Sequence, residues 1–200
     1  MDVALEYSHL GGAEILQNRL PRHRDEVVAV IRAVEDPGKT KASKEKTMPG
    51  ELLYSPRELN RRFAYQFRLR QWKELRDRYD IKVPGYPTVV RGAFKQIDFV
   101  KPPVAAEVQF GKYAFMFYDL AKFQYFYNKG DIQVGVEIVP TKHLHDQMST
   151  GVSYGEQLVS DLERLQRNFP SCPVVVLLVD FESGIVPDNS PRSRGFIPEA

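Results

Sequence analysis

The sequence predicts an α/β fold in which a mixed central β-sheet is flanked by α-helices. Residues 94–100 and 104–110 have strand character and are separated by Lys101-Pro102-Pro103, a short link that favours a hairpin. The run from Pro173 to Val179 is entirely apolar, which is typical of a strand buried on both faces of a parallel sheet. Helical patterns precede, separate and follow these strands, so helices should cover both faces of the sheet.

The first part of the chain is predicted to be helical. Apolar residues recur at helical spacing in residues 11–20 and 22–34, which indicates two consecutive helices. A capping box formed by Ser55 and Glu58 predicts the start of a third helix. Because Leu59, Phe63, Phe67 and Trp72 supply an apolar stripe, we expect this arginine-rich helix to extend to about Tyr79.

The second half of the chain alternates between helices and strands. Residues 113–128 form an aromatic-rich helix, and Ile132–Val139 alternates as a strand. A second capping box, Ser153 with Glu156, predicts a helix over residues 154–168. The aromatic stripe of the 113–128 helix is expected in the core and consists of Phe115, Tyr118, Phe123 and Phe126.

Composition limits the class of protein. The 200 residues carry a net charge of +2 and 42% hydrophobic residues, which fits one globular domain over residues 1–200 and excludes collagen-like, coiled-coil and polybasic proteins. Cys172 is the only cysteine, which excludes an internal disulfide and a cysteine zinc site. With no signal peptide and no membrane span visible, we expect a cytoplasmic protein without membrane contact. Residues 182–200 are expected to form a flexible or dimer-contacting tail.

The positive charge is concentrated in two segments. The loop Lys39–Lys46 contains four lysines against one glutamate, and the segment Arg57–Arg78 is rich in arginine. Either segment could be a solvated surface, but the arginine excess favours an anionic partner.

One segment has the residue types of a hydrolytic metal site. Glu107 and Gln109 lie two apart on a predicted strand and therefore share a face. If the hairpin forms, Asp98 on the preceding strand lies near Glu107. Two carboxylates at one point repel each other unless a cation lies between them, and oxygen ligands favour Mg²⁺ or Mn²⁺. Such a site suits phosphodiester hydrolysis, although Glu-x-Gln on a strand is also compatible with a solvent-facing surface.

The run IDFVKPPVAAEVQFGKYAFMFYDL resembles the active-site segment of the BglII/BstYI family of type II restriction endonucleases, within the PD-(D/E)xK superfamily. The family pattern of Asp, then Glu nine residues later, then x-Gln is met by Asp98, Glu107 and Gln109. Three further regions, YSHLGGAEILQ, TKASKEKT with LLYSP, and DIQVGVEIVPTKHL with MSTGVSYGE, resemble the BstYI branch most. The resemblance covers most of the chain and is weakest between residues 66 and 93 and in the tail.

The resemblance implies a PD-(D/E)xK nuclease core and a homodimer that cuts double-stranded DNA at a short palindrome. It also implies a GATC core, 5′ overhangs with 5′-phosphates, and Mg²⁺ as the cofactor, for which Mn²⁺ can substitute. Asp98, Glu107 and Gln109 carry over as the catalytic residues. Asp98, Glu107 and the backbone carbonyl of Val108 carry over as the metal ligands. Glu14, on the first helix, is a candidate for supporting the site, and the alternative is a surface carboxylate.

DNA contacts are expected from elements beside this segment. The candidates are Lys112, Ser149, Thr150, Ser153, Lys44 and Lys46. Lys112 follows the catalytic strand and could donate to guanine or contact a phosphate. Ser153 could instead only cap its helix, and the lysine loop could be merely solvated.

Two other functions fit the same residues. The first is a sequence-specific DNA-binding protein whose nuclease site is inactive, which the Gln at position 109 suggests because many related nucleases have Lys there. The second is a PD-(D/E)xK nuclease that is not a restriction enzyme. A digest of plasmid DNA with Mg²⁺ separates these readings, since only the restriction enzyme gives discrete fragments.

Overall fold

A six-stranded mixed sheet runs through the protein, and the computed structural model describes residues 1–46 and 48–182. The strands are β1 (Asp2–His9), β2 (Lys41–Ala42), β3 (Leu52–Leu53), β4 (Lys73–Lys82), β5 (Val89–Lys101), β6 (Val104–Val108), β7 (Val134–Pro140) and β8 (Val174–Asp180). The helices are α1 (Gly12–Arg19), α2 (Pro21–Arg32), α3 (Pro56–Leu69), α4 (Tyr113–Asn128), α5 (Lys142–His145) and α6 (Gly155–Leu165), followed by a 3₁₀ turn at Gln166–Asn168. This α/β architecture confirms the predicted fold class.

Strand β6 lies where the sheet changes direction. The strand order is β1-β8-β7-β6-β5-β4, and β2 and β3 form a separate small ribbon. Strand β6 is antiparallel to β5, through the predicted proline-bearing hairpin, and parallel to β7. Strand β7 is parallel to β8, and β1 closes the sheet antiparallel to β8. The central strands are therefore hydrogen-bonded on both sides.

Helices cover both faces of the sheet, as predicted. Helices α1, α2, α3 and α5 pack on one face, with side chains such as Leu16, Ile31 and Phe63 in its core. Helices α4 and α6 pack on the other face, here called the α4 face, where Phe123 and Leu158 are fully buried. No helix in residues 1–46 and 48–182 is long and apolar enough to cross a membrane.

The two edge strands of the sheet differ from the prediction. The third helix ends at Leu69 instead of continuing to about Tyr79, and residues 73–82 form the edge strand β4. Gln71, with a φ of 63°, turns the chain between them. The other edge strand, β1, was not predicted at all. Strand β4 is largely exposed and carries a charge at most positions, whereas β1 is partly buried and its alternation of Val3, Leu5 and Tyr7 was overlooked.

Two smaller predictions about helices were wrong. Ser153 does not cap α6: Tyr154 is the N-cap residue, and the Glu156 carboxylate instead accepts hydrogen bonds from the backbone N–H of Lys142. In α4, only half of the aromatic stripe lies in the core. Phe115 and Tyr118 are about half exposed because they lie on the solvent side of the helix. The tail predicted from residue 182 lies, apart from Glu182, outside the described residues.

Candidate active site

The β5–β6 hairpin brings Asp98 and Glu107 together, as the sequence predicted. The backbone N–H of Asp98 donates to Oε1 of Glu107 at 3.3 Å. On its other side, β5 pairs with β4 and the register shifts by one residue. Lys73 pairs with Val100 and Leu75 with Ile97, so β5 has one more residue than β4 between these pairs. Asp98 lies inside this bulge, a distortion that re-aims a side chain. The Asp98 carboxylate consequently stays exposed, while Glu107 is only 3% exposed.

Helix α4 contacts Glu107 on β6 and Gln109 directly after it. The Lys122 ammonium forms an ion pair with Glu107 and a second one with Asp119, at 2.7 Å from its Oδ1. The other oxygen of Asp119 accepts a hydrogen bond from Nε2 of Gln109 at 3.1 Å. Asp119 and Lys122 are three residues apart on the helix and therefore lie on the same face of it. From this face, Lys122 contacts Glu107 and Asp119 contacts Gln109. Gln109 and Glu107 thus belong to one connected network.

A further acid, Glu137, lies beside Glu107. The two residues are paired in the parallel register of β6 and β7. Glu137 is completely buried, and neither of its carboxylate oxygens has a hydrogen-bond partner among the described residues. We call Asp98, Glu107, Asp119 and Glu137 the carboxylate cluster.

Burial dominates the electrostatics of this cluster. It raises the pKa of Glu107 to about 8, the charges of Asp119 and Asp98 raise this pKa as well, and Lys122 lowers it. Burial, followed by the charges of Asp119 and Glu107, raises the pKa of Glu137 well above its usual value. Burial also raises the pKa of Asp119 despite its contact with Lys122. For Lys122, burial lowers the pKa, but the two acidic partners raise it by more.

The cluster has a deficit of positive charge that suits a divalent cation. With all its carboxylates ionised, four negative charges face one lysine, and this charge excess adds to burial in raising the pKa values of Glu107 and Glu137. The donors are all oxygens, the ligand type that Mg²⁺ and Mn²⁺ prefer. Among residues 1–46 and 48–182, no three His, Cys, Asp or Glu side chains converge as a metal-binding group. The predicted ligand set is compatible with this, since it has two carboxylates and the backbone carbonyl of Val108.

The candidate DNA-contacting residues lie on loops that contact one another. Ser149 accepts a hydrogen bond from Lys41 at 3.2 Å, and the Thr150 N–H donates to Glu45 at 3.0 Å. The Ser153 N–H donates to the carbonyl of Gly111 at 2.8 Å. Three segments are therefore connected: 41–53, 111–112 and 147–153. The lysines at positions 44, 46 and 112 are exposed at this surface, whereas Ser153 is buried and its hydroxyl donates to Gln157.

Glu14 lies apart from the cluster. Helix α1 packs on the face of the sheet opposite α4, and the exposed Glu14 carboxylate accepts a hydrogen bond from the Ser8 hydroxyl at 2.5 Å. The sheet separates it from Glu107, and its contact with Ser8 ties α1 to the end of β1.

Sequence reasoning missed three members of the network, namely Asp119, Lys122 and Glu137. Each has a signal in the sequence, because each is a charged residue inside a segment that is otherwise apolar or aromatic. A charge in such a segment is rarely buried without a partner. The charged positions of YDLAKF and VGVEIV therefore could have indicated a buried polar site.

Comparison with known proteins finds a matching family model and similar solved structures. The family model described as restriction endonuclease BglII/BglIII matches residues 4–179. The crystal structure of BglII complexed with a DNA 16-mer superposes with a TM-score of 0.68 at 22% identity, covering 92% of this chain and 79% of that chain. Free BglII gives a TM-score of 0.62 at 21% identity, with 92% and 82% covered. No curated protein sequence matches.

These structural matches show the fold, and the family model spans most of the chain. The resemblance to BglII-type enzymes inferred from the sequence is thereby confirmed. The protein belongs to the BglII/BglIII restriction endonuclease family and is a type II site-specific deoxyribonuclease.

Proposed function

We propose that the protein is a cytoplasmic, Mg²⁺-dependent homodimer of the BstYI branch that cuts both strands of DNA at a short palindrome with a GATC core. The products carry 5′ overhangs and 5′-phosphates, and Mn²⁺ can replace Mg²⁺. The observation that carries this proposal is the contact of Asp98 with Glu107 across the hairpin, with Gln109 directly after the end of β6. These are the residues of the family pattern, and they lie in one connected network.

Asp98, Glu107 and the carbonyl of Val108 would hold the cation. When bound, it supplies Lewis-acid activation of water and stabilisation of the leaving oxygen. The protein's own residues fix the site around it. Lys122 holds Glu107 in place, and the bulge at Asp98 keeps that carboxylate accessible from solvent. The excess of negative charge in the carboxylate cluster supports a divalent cation over a monovalent one.

The connected loops 41–53, 111–112 and 147–153 form the proposed DNA-contacting surface. Lys44 and Lys46 are placed to neutralise phosphates, while Lys112, Ser149 and Thr150 are the candidates for base contacts. Ser153 supports this surface through its backbone bond to Gly111, next to Lys112. Lys112 is the N-cap residue of α4, the helix that contacts the proposed catalytic residues. A candidate for base contacts and the proposed cleavage site are therefore linked through one helix.

A homodimer explains recognition of a palindrome, because the two-fold axis of the protein matches that of the DNA site. Each protomer would cut one strand. Sedimentation of the purified protein with a duplex containing GATC should give two protomers per duplex.

A plasmid digest tests the proposal directly. With Mg²⁺ and with Mn²⁺, we expect discrete fragments whose sequenced ends map to GATC-containing sites with 5′ overhangs. EDTA should abolish cutting. Glu107→Ala should abolish cutting while retaining DNA binding in a gel-shift assay, and unchanged cutting by this variant would refute the site. Fragment ends outside GATC would refute the recognition sequence but not the nuclease assignment.

A further inference from the structure

The side chain of Gln109 is held in one orientation by its neighbours. Oδ2 of Asp119 lies 3.1 Å from Nε2 of Gln109, and an ionised carboxylate can only accept hydrogen bonds. Lys122 pairs with the other carboxylate oxygen at 2.7 Å, which favours the ionised form of Asp119. The amide nitrogen of Gln109 must therefore face Asp119.

The carbonyl oxygen of Gln109 occupies space that a glycine leaves free. A Cβ atom at position 111 would lie 2.5 Å from Oε1 of Gln109. Gly111 does not have a positive φ, so the backbone conformation alone does not require glycine there. Among the described residues, no donor is hydrogen-bonded to Oε1. Gln109 is partly exposed, so this oxygen can accept a hydrogen bond from a molecule that enters the site.

We propose that Asp119 is a positioning residue that turns Gln109 into a hydrogen-bond acceptor for the attacking water. This inference rests on the proposed nuclease function and deepens it. A lysine at position 109 could only donate, whereas glutamine has both donors and an acceptor. With both amide hydrogens on the side of Asp119, the acceptor faces the substrate. Gln109 then orients a water proton, and Asp119 sets that orientation without touching the DNA.

The packing of α4 explains why Asp119 is suited to this role. It is 2% exposed and lies in a helix whose buried neighbours, Met116, Leu120 and Phe123, fix its position on the α4 face. Its two carboxylate oxygens contact Gln109 and Lys122, respectively. The helix thus presents a rigidly held acceptor to the Gln109 amide.

A double-mutant cycle tests the proposal. Asp119→Asn keeps the size of the side chain but offers donors as well as an acceptor, so the amide of Gln109 can flip. We expect kcat to fall by about 10–100-fold, the range for residues that orient a catalytic group. Affinity for the duplex in a gel shift without metal should change by less than about twofold. In a Gln109→Leu background the same substitution should cost little more, because residues that act through one another are not additive. A fully additive loss would overturn the proposal.

A second measurement needs no activity. In ¹⁵N-labelled, metal-free protein, the side-chain amide of Gln109 is identified by its absence in Gln109→Leu. We expect Asp119→Asn and Asp119→Ala to shift this resonance and to speed its exchange with solvent. The amide of Gln124, which is also on α4 but donates to Asn128, serves as the control and should not move. An unchanged Gln109 resonance would overturn the proposal. If the wild-type protein failed to cut DNA, the proposed function would fail, and the resonance would still decide the orientation.

Discussion

Replacing Lys122 by Met tests the central electrostatic argument. Met keeps most of the apolar stem but removes the only described cation that contacts Glu107 and Asp119. The Lys122 side chain is 13% exposed and its partners 3–4%, so the carboxylates would stay buried without compensation. Breaking a buried ion pair in this way costs about 3–5 kcal/mol of unfolding free energy. For a chain of this length the midpoint of thermal unfolding should fall by roughly 6–20 °C.

The matched control is Lys129→Met on the same helix. Lys129 pairs with Asp77 at 2.5 Å, but its side chain is 40% exposed, and exposed pairs contribute about 0–1 kcal/mol. Urea unfolding of both variants in EDTA at pH 7 measures the difference. The Lys122→Met deficit should also grow above pH 8, because Glu107, whose pKa is about 8 with Lys122 in place, otherwise ionises there with no cation beside it. If Lys122→Met lost no more stability than Lys129→Met, the reasoning about the cluster would be refuted.

Three further predictions concern the same region. The pKa of Glu137 is raised on folding, so its ionisation opposes folding, and stability should fall as the pH rises above the unfolded value near 4.5. Glu137→Gln should make stability less dependent on pH between pH 5 and pH 8. An unchanged pH dependence in urea unfolding would contradict this prediction. Gly111→Ala should displace Gln109 and lower the cleavage rate by about tenfold with nearly normal thermal stability, and it should have no further effect in a Gln109→Ala background. Gly135→Ala would place a Cβ 2.4 Å from the ring of Phe123 and should cost about 1–3 kcal/mol in urea unfolding, whereas a neutral result would show that the ring can move.

What the sequence revealed about the fold depended on burial. The hairpin of β5 and β6 and the apolar strand β8 were predicted because their buried faces impose a clear pattern. The two missed strands are the edges of the sheet. Residues 73–82 carry a charge at most positions and are mainly exposed, so their composition resembles that of the preceding arginine-rich helix. Leu75, Tyr79 and Ile81 have strand spacing, but Asp77 interrupts it, so the local signal is weak and pairing with β5 is the clearer evidence of a strand.

The candidate site was predicted in the same partial way. Asp98, Glu107 and Gln109 follow from strand spacing together with the family pattern, and the structure brings them into one network. Asp119 and Lys122 come from the next helix, and their approach to β6 depends on how α4 crosses the sheet. Strand periodicity contains no information about that crossing. Glu137 required the register of β6 against β7, which only the assembled sheet defines.

The position of β6 also implies that the catalytic strand and the proposed DNA-contacting loops differ in how readily their backbone hydrogen bonds open. The amides of β6 are hydrogen-bonded to β5 and β7, and residues 104–107 are buried, so their hydrogen exchange should require opening that approaches global unfolding. Residues 41–46 and 48–53 are held by two-residue strands and are mostly exposed, so they should exchange through small fluctuations. The catalytic strand is thus preorganised before DNA arrives. The loops that contact DNA can adjust to the duplex without the cutting geometry having to relax with them.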